Sequence, residues 1–386
     1  MRKHASLAIL FVIVFVDLLG FGMVIPVMPL YAEELGAPRE WIGLLMAGYS
    51  GMQFLFAPFW GRLSDQLGRR PVLLVSIAMS ALAFTGYALA PSFGWLLVSR
   101  LFAGAATANI PIAQAYVADV TPPEGRARGM GLIGAAFGLG FVLGPAIGGL
   151  LSGISLGAPG WAAAGLSLAN GVAAFFILAE PERRVASGRR GRVAALVEEL
   201  GRPGIRRLLA CYFLSVLAFS AMEATFALLA RERYRLDRQH VNYVFAYIGV
   251  LVVVVQGGLV GPLTRRFGEV RLLVAGAFLQ ALALVALPYA PGNAGLFAAC
   301  VPLAAGSGLT QPALAALLSR FARAEDQGGT LGIGQSASAF ARILGPEAGT
   351  WTYSRWPAVP YVAGAGLMAV AAALGATIRR ATPPDA

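Results

Sequence analysis

Four ionisable residues lie inside long apolar stretches of this 386-residue sequence: Asp17, Arg100, Glu223 and Arg342. An ionisable side chain at the centre of a bilayer is costly, and it often marks the path of a proton or a substrate. Asp17 lies about eleven residues into the first apolar stretch, where its carboxyl group can form a structural ion pair, carry a proton reversibly or neutralise a cationic substrate. Its expected partner is Arg100, which stays charged when buried and whose alternative is to snorkel to the outer membrane surface.

The second half of the sequence holds a similar pair of ionisable residues. Glu223 and Arg342 lie at comparable depths in two later apolar stretches. Glu223 is a second candidate for proton or cation binding, and a structural ion pair with Arg342 is the alternative. Single polar residues in such stretches usually form hydrogen bonds between helices, but several are deep enough to line a substrate cavity. These candidates are Gln53, Asn109, Gln114, Tyr247, Gln311 and Gln335.

The elements that carry these residues are long hydrophobic segments. Of all residues, 58% are hydrophobic and 13% are charged, and the mean hydropathy is +0.70, whereas a soluble domain has about 25% charged residues. A helix needs about 20 apolar residues to cross the hydrocarbon core, where its backbone amides find no other partners. The sequence therefore predicts an all-α membrane protein with twelve transmembrane helices. Their predicted ranges are 6–30, 41–60, 71–91, 94–117, 129–152, 160–179, 208–230, 241–263, 271–290, 294–317, 330–353 and 357–378.

The net charge of +11 follows from membrane topology and does not indicate a nucleic-acid partner. Basic residues concentrate in cytosolic loops, and the acidic segment 33–40 then lies outside, with the basic segment 231–238 as an exception. The start of the sequence resembles a signal peptide but lacks a cleavage pattern, so we expect an uncleaved first helix. We expect a multi-pass protein of the bacterial inner membrane with both termini in the cytosol. The arginines on the cytosolic side would be Arg62, Arg69, Arg70, Arg126, Arg128, Arg265, Arg266, Arg271, Arg320, Arg323, Arg379 and Arg380.

The sequence repeats itself at a spacing of about 200 residues. The pair Gly61 and Gly68 recurs as Gly261 and Gly268, and the stretch 144–148, Gly-Pro-x-x-Gly, recurs at 345–349. This duplication predicts two pseudo-symmetric six-helix bundles, 1–180 and 208–386, joined by a cytosolic linker, 181–207. A parallel duplication of this kind places a substrate cavity between the halves, near the middle of the membrane.

A charged loop at 61–71 interrupts two uncharged apolar stretches. It resembles the loop signature of the major facilitator superfamily, Gly-x-Leu-x-Asp-x-x-Gly-Arg-(Arg/Lys), in which Gln66 stands where a basic residue is usual. The resemblance implies a charge-relay latch of Asp65, Arg69 and Asp119 that stabilises an outward-open state; solvated loop charges are the alternative. The second copy of the loop lacks these acids, so we expect one latch only. The residues of the signature with their partner on the fourth span are Gly61, Asp65, Gly68, Arg69, Arg70 and Asp119.

The fifth predicted span is rich in glycine at helical spacing. Glycines four residues apart remove side chains from one helix face, so another helix can approach closely. Beyond this packing role, the pattern Gly-x-x-x-Gly-Pro-x-x-Gly-Gly resembles the antiporter signature of the superfamily's drug:proton exporters, in which the helix seals the two halves together. The residues that match are Gly140, Gly144, Pro145, Gly148 and Gly149.

The resemblance extends to tetracycline-efflux and related multidrug exporters over residues 10–150 and is weak afterwards. It implies proton-coupled export (H+/substrate antiport) of amphipathic small molecules by alternating access. The sequence leaves the oligomeric state open, and a monomer in the bilayer is the default expectation. The tetracycline exporters carry a mid-membrane histidine in their second half. Here the histidines are His4 and His240, near the terminus and at a span boundary, so we do not expect tetracycline itself as the substrate.

Other functions remain open on the sequence. A lipid or glycolipid flippase, or a metabolite or sugar exporter, can use the same fold, because fold does not decide the substrate. The sequence has no metal-binding cluster, nucleophile elbow or phosphate-binding loop. We therefore expect no enzyme activity and no cofactor, with the proton gradient as the source of energy. A continuous channel is disfavoured by the duplicated halves.

Overall fold

The computed structural model describes residues 2–107, 109–120, 133, 136, 139–140, 143–181, 201–321 and 327–378. Most of the predicted linker, residues 182–200, therefore lies outside the described residues, as do Arg126, Arg128, Arg323, Arg379 and Arg380. Helices account for nearly all of the described chain. The helices of the first half are α1 (Arg2–Val24), α2 (Met28–Glu34), α3 (Arg39–Leu67), α4 (Arg69–Ala88), α5 (Phe93–Ala106), α6 (Asn109–Val120), α7 (Leu143–Ser152) and α8 (Ala158–Ile177).

The second half continues with longer helices. They are α9 (Pro203–Tyr234), α10 (Arg238–Val254), α11 (Val260–Phe267), α12 (Glu269–Ala286), α13 (Gly292–Phe321), α14 (Gln327–Tyr353) and α15 (Val359–Ala376). A π-helical turn, Val255–Leu259, joins α10 to α11 without a break. It contains Gly257 and Gly258, and glycine tolerates such local irregularity in a helix.

The twelve predicted spans each have a helical counterpart. Eight helices of the described chain are long and apolar enough to cross a membrane, and α1 with α2, bent by 43°, makes a ninth. The other three predicted spans coincide with α5 and α6, with α7, and with α14. The prediction of an all-α, twelve-helix membrane fold is confirmed.

Proline explains why two predicted spans are broken. Pro26 lies in the turn between α1 and α2, and a proline ring removes a backbone donor and clashes with the preceding helical turn. In the fourth span, α5 ends at Ala106, and Thr107 adopts an extended conformation with ψ 101°. A proline at position 111 cannot donate a hydrogen bond to the carbonyl group of residue 107, which weakens the helix at this point. The next helix is described from Asn109.

Contacts between helices divide the chain into two compact units. The first comprises Met1–Val185 and Leu236–Gly249, and the second comprises Ala186–Arg235 and Val250–Ala386. The first turns of α10 therefore pack with the first unit. The domain boundaries expected from the sequence, 1–180, 181–207 and 208–386, stay a prediction.

The two units repeat the same packing. In the first unit, α8 packs against α1 and α4, and α4 packs against α5. In the second unit, α15 packs against α9 and α12, and α12 packs against α13. Each unit also has its own apolar core, which includes Ile13 and Leu73 in the first and Leu208 and Leu273 in the second. The duplication in the sequence is thus a duplication of packing.

Candidate functional site

Asp17 is a buried carboxyl group held by an amide. It lies on α1 with 8% of its surface exposed, and Asn109 Nδ2 donates a hydrogen bond to Asp17 Oδ1 at 2.8 Å. Asn109 is itself only 1% exposed, and it is the first residue of α6. The break between α5 and α6 therefore brings the amide to the carboxyl group. Asn109 was predicted as a cavity residue, and the structure makes it the partner of Asp17.

Arg100 is buried among aromatic rings. It lies on α5 with 2% of its surface exposed, and its guanidinium carbon is 5.8 Å from the ring centre of Phe21 and 4.7 Å from that of Tyr49. Such cation–π contacts stabilise a desolvated cation by about 2 kcal/mol. Within the described chain, Nε of Arg100 has no hydrogen-bond partner. Arg100 therefore does not snorkel to the membrane surface.

Asp17 and Arg100 lie in one cavity without forming an ion pair with each other in the described structure. The cavity is lined by residues of α1, α3, α4 and α5, including Asp17, Arg100, Ser80 and Thr107. Its volume is about 10 Å³, which is about the space that one water molecule needs. The expected ion pair between Asp17 and Arg100 is thus absent from the described structure. Asp17 instead accepts a hydrogen bond from the amide of Asn109, and two aromatic rings cover Arg100.

The other predicted cavity residues lie elsewhere. Gln53, Gln114, Tyr247 and Gln311 are half-buried, and none of them lines the cavity that contains Asp17. The side chain of Gln335 lies outside the described residues. Their role in substrate binding stays a prediction.

Glu223 and Arg342 approach each other in the second unit. Glu223 on α9 and Arg342 on α14 are near enough for their charges to interact, although the described atoms form no direct ion pair. Arg342 Nη2 instead donates to Ser338 Oγ, one turn earlier on α14, at 3.3 Å. The two residues predicted as a second charged site are therefore neighbours, and both are half-buried.

The segment 61–71, called the charged loop below, was predicted as a loop, but it is helical up to Leu67 and again from Arg69, so that prediction is wrong except at Gly68. The turn at Gly68 brings the three predicted latch residues together. Arg69 Nη1 lies 2.7 Å from Asp65 Oδ1, and Arg69 Nε lies 2.9 Å from Asp119 Oδ2. Arg69 Nη1 also donates to Ser64 Oγ at 2.6 Å. The arginine side chain is 14% exposed, so these charges are partly shielded from solvent. Gly61 has open space where a Cβ would lie, and its carbonyl group accepts a hydrogen bond from Ser64 Oγ.

Arg70 belongs to a different contact from that of the latch. Its Nη2 donates to the carbonyl oxygen of Phe175 near the end of α8 at 2.7 Å, and its guanidinium lies over the Phe175 ring at 5.3 Å. A cation at the C-terminal end of a helix interacts favourably with the carbonyl groups exposed there. Arg70 thus ties the start of α4 to the end of α8.

Glu180 is a residue of this region that the sequence analysis did not single out. Its Oε1 accepts a hydrogen bond from the backbone N–H of Arg69 at 2.7 Å, and its Oε2 accepts one from that of Arg70 at 2.9 Å. A carboxylate at this place satisfies two free N–H groups and complements the helix dipole. Gly68 has φ +109°, and a Cβ there would lie 2.7 Å from Glu180 Oε1. The glycine is needed both for its conformation and for the approach of Glu180.

The second unit has its own ion pair at the corresponding place. Arg320 Nη1 lies 2.6 Å from Glu269 Oε2. Glu269 opens α12 as Arg69 opens α4, and Arg320 occupies the position of Asp119 in the repeat. Among the described residues only this one ion pair persists, with its charges exchanged, because Arg265 stands where the first copy has Asp65. The expectation of a single latch stays a prediction. The side chain of Arg320 is 65% exposed, and ion pairs of this kind contribute little to stability.

The glycines of α7, together with Gly140 before it, lie against α1, the helix that carries Asp17. A Cβ at Gly140 would lie 2.7 Å from Leu18 Cβ, and one at Gly144 would lie 2.7 Å from Gly22 Cα. A Cβ at Gly148 would collide with the carbonyl oxygen of Met23. Pro145 lies between these glycines and is half-buried. The helix backbones themselves are therefore in contact.

The same contact recurs in the second unit. A Cβ at Gly349 on α14 would lie 2.7 Å from the carbonyl oxygen of Ala221 on α9, and one at Gly345 would collide with Ser220 Oγ. Gly345 and Gly349 are the repeats of Gly144 and Gly148. Close packing of these helices is thus a shared feature of both units.

Asn242 fixes the end of α7 to the start of α10 within the first unit. Its Nδ2 donates to the carbonyl oxygen of Gly149 at 2.9 Å and also contacts Ser152 Oγ. Asn242 is 2% exposed, and a Cβ at Gly149 would lie 2.5 Å from that of Asn242. Asn242 was not among the predicted site residues. A polar residue near the start of an apolar span was the available signal.

A duplicated helical membrane fold with charged residues buried in its helices is typical of a membrane transporter. The chain belongs to the Major Facilitator Superfamily, whose family model matches residues 10–346 and 258–386. It is 34% identical over 381 residues to the tetracycline resistance protein, class C, of Escherichia coli, with 96% of each chain covered. It is 35% identical over 366 residues to the class G protein of Vibrio anguillarum, covering 92% of this chain and 91% of the other.

A solved structure gives a further comparison. The crystal structure of the human organic anion transporter MFSD10 (TETRAN) matches with a TM-score of 0.73 and 26% identity, covering 97% of this chain and 99% of the other. The likeness to the tetracycline resistance proteins was expected to weaken after residue 150. The alignments cover nearly the whole chain, and the decline of the likeness after residue 150 stays a prediction.

Proposed function

We propose that this protein exports amphipathic small molecules in exchange for protons, by alternating access. The observation that carries the proposal is the buried carboxyl group of Asp17, which is held by Asn109 in a cavity with the buried cation Arg100. The relatives named as tetracycline resistance proteins support drug efflux as the general activity.

Asp17 is the proposed coupling residue. An ionised carboxylate in dry surroundings is costly, so Asp17 favours either a bound proton or a bound cargo that neutralises it. If the two occupancies favour opposite-facing states, the proton gradient drives export, because a ligand shifts a conformational equilibrium only through its different affinities for the two states. Because α1 is in close contact with α7, a movement of α1 that follows a change at Asp17 also changes the packing of the first unit.

The charged loop is proposed to set the resting balance between these states. Arg69 binds Asp65 and Asp119 together, so a movement that separates the loop from α6 must break at least one charged contact. We propose that this latch stabilises the outward-open state. Glu180, which follows α8, accepts a hydrogen bond from the backbone N–H of Arg69, and the side chain of Arg70 donates one to the end of α8. Both contacts hold the charged loop in place.

The remaining parts of the proposal concern the setting of the protein. We propose a monomer in the bacterial inner membrane with both termini in the cytosol, driven by the proton gradient without a cofactor. Glu223 with Arg342 is proposed as a second charged site for proton or cation binding. The histidine expected for tetracycline export has no counterpart at mid-membrane in the second half, so the cargo is proposed to be another amphipathic compound.

Efflux from cells that lack their main exporters tests this function. A chemically varied panel of amphipathic compounds is measured with and without a protonophore. We expect export of some members of the panel, and we expect the protonophore to abolish it. Export that continues unchanged after collapse of the proton gradient would contradict proton coupling, and export confined to lipids or sugars would support the alternative transporters on this fold.

A further inference from the structure

The cavity of the first unit contains an arginine and a carboxyl group that form no ion pair with each other in the described structure. Arg100 is 2% exposed, and the structure as described gives it two aromatic rings and no anion. Asp17 is 8% exposed and is bonded to the neutral amide of Asn109. Removing two charges from water costs several kcal/mol for each ion, and mutual pairing normally offsets this cost. Here the pairing is absent, although both side chains line the same cavity.

The aromatic rings define the apolar part of the same cavity. Phe21 and Tyr49 have ring centres 4.8 Å apart and cover the guanidinium of Arg100, and Phe84 forms another part of the lining. The present volume of about 10 Å³ admits about one water molecule. A larger molecule can reach both charges only when the Phe21 and Tyr49 rings move aside. It would then find an arginine, a carboxyl group and ring faces in one place.

We propose that the cargo is a zwitterion, an amphipathic molecule whose anionic group binds Arg100 and whose ammonium group binds Asp17. The inference rests on the proposed export function and names its substrate class. An arginine recognises a carboxylate through paired charge-assisted hydrogen bonds, and a carboxylate accepts hydrogen bonds from an ammonium group. The apolar body of the cargo packs against the rings that cover Arg100 in the present state.

Cargo with a single charge fits the exchange mechanism less well. A cation neutralises Asp17 but brings a like charge to Arg100, and like charges in one dry site repel each other. An anion neutralises Arg100 but faces Asp17, so its binding favours a proton on Asp17. By reciprocity, cargo and proton would then bind together, which is cotransport and not exchange. A zwitterion satisfies Arg100 and still competes with the proton for Asp17.

A matched series of fluorescent probes tests the charge requirement. The zwitterion is Nε-dansyl-lysine; its methyl ester is a cation, its Nα-acetyl derivative is an anion, and the acetylated ester is neutral. Binding to the purified full chain in lipid nanodiscs is followed by energy transfer from tryptophan, with no pH gradient. We expect the zwitterion to bind about tenfold or more tightly than each of the other three, the effect of one charge-assisted contact.

Variants at the two charged positions separate the contacts. Arg100→Leu should weaken the zwitterion and the anion by about tenfold or more while the cation binds as before or more tightly. Asp17→Asn should weaken the zwitterion and the cation and spare the anion. Arg100→Lys is the matched control, because it keeps the charge and should keep the order of the four affinities. The spared probe in each variant shows that the protein is folded.

The binding and export measurements test the zwitterion site and the proposed function separately. Equal affinity of the wild type for zwitterion and cation, or equal loss of all four probes in Arg100→Leu, would overturn the zwitterion site. Failure of all four to bind at about millimolar concentration, a very weak affinity, would also overturn it. Proton-driven export is measured separately in proteoliposomes. The charge preference without proton-driven export would contradict the proposed function and leave the zwitterion site standing.

Discussion

Replacing Gly144 by alanine should test whether the contact of α7 with α1 holds the first unit together. The added Cβ would lie 2.7 Å from Gly22 Cα, 2.8 Å from Gly22 C and 2.9 Å from the carbonyl oxygen of Leu19. All three atoms belong to the backbone of α1, so no side chain can rotate away. Overpacking of this kind costs about 1–3 kcal/mol, because one of the two helices must shift.

A matched glycine gives the reference for this substitution. Gly165 lies inside α8 and has open space where its Cβ would be. There, alanine should stabilise the helix by up to about 1 kcal/mol, the difference in helix propensity. The same gain applies at Gly144, so the difference between the two variants isolates the overpacking term. We expect Gly144→Ala to be about 1–3 kcal/mol less stable than Gly165→Ala.

Reversible unfolding of both variants in the same mild detergent measures this difference. Each unfolding midpoint is compared with that of the wild type, at a fixed detergent-to-protein ratio. A Gly144→Ala protein that is as stable as Gly165→Ala would refute the reasoning, because it would mean that α7 and α1 separate without loss. The same variants allow a second measurement. If α7 also seals the protein against leak, proteoliposomes with Gly144→Ala should leak protons faster than those with the wild type.

Three further predictions concern the charged groups. Asn109→Ala should remove the hydrogen bond to Asp17 and lower proton-driven export at least about tenfold, since bonds to charged groups contribute about 1.5–3 kcal/mol; export rates measured against Asn109→Gln check this. Arg69→Ala should destabilise the protein more than Arg320→Ala, by about 1–3 kcal/mol against less than 1, because Arg69 is 14% exposed and Arg320 is 65% exposed; equal unfolding midpoints would contradict this order. Glu180→Gln should lower stability by about 0.5–2 kcal/mol through the loss of a charged helix cap, and an unchanged midpoint in low salt would count against that contact.

The transmembrane fold could be predicted from the sequence because its signal is local. Long apolar stretches must be helical in a bilayer, and the glycine pattern near Gly144 predicts close packing without naming the partner. The structure supplies that partner, Gly22 on α1. Pro26 explains the break in the first span, which was predicted as one continuous segment, 6–30. The fourth span was predicted to be continuous, although its helix breaks after Ala106. A proline removes the hydrogen bond to the carbonyl group four residues earlier, and the prediction did not include this effect.

The pairing of the charged residues was harder to predict. Arg69 with Asp65 and Asp119 followed from the resemblance of the loop, and the structure brings these residues together. The contacts of Glu180 and Asn242 join residues far apart in sequence, and no local pattern names their partners. Asp17 was expected to meet Arg100 on the argument that buried opposite charges pair. An asparagine and two aromatic rings supply the contacts instead.

The central claim is that Asp17 exchanges a proton for cargo, and one comparison tests it most directly. Wild type and Asp17→Asn are reconstituted in parallel, and a compound exported by the wild type is followed in two modes, uphill movement driven by a pH gradient and counterflow without a gradient. We expect the variant to lose the uphill movement, because asparagine cannot release a proton, and to retain counterflow at a cargo concentration high enough to offset its weaker binding. Uphill movement at the wild-type rate in Asp17→Asn would contradict the claim.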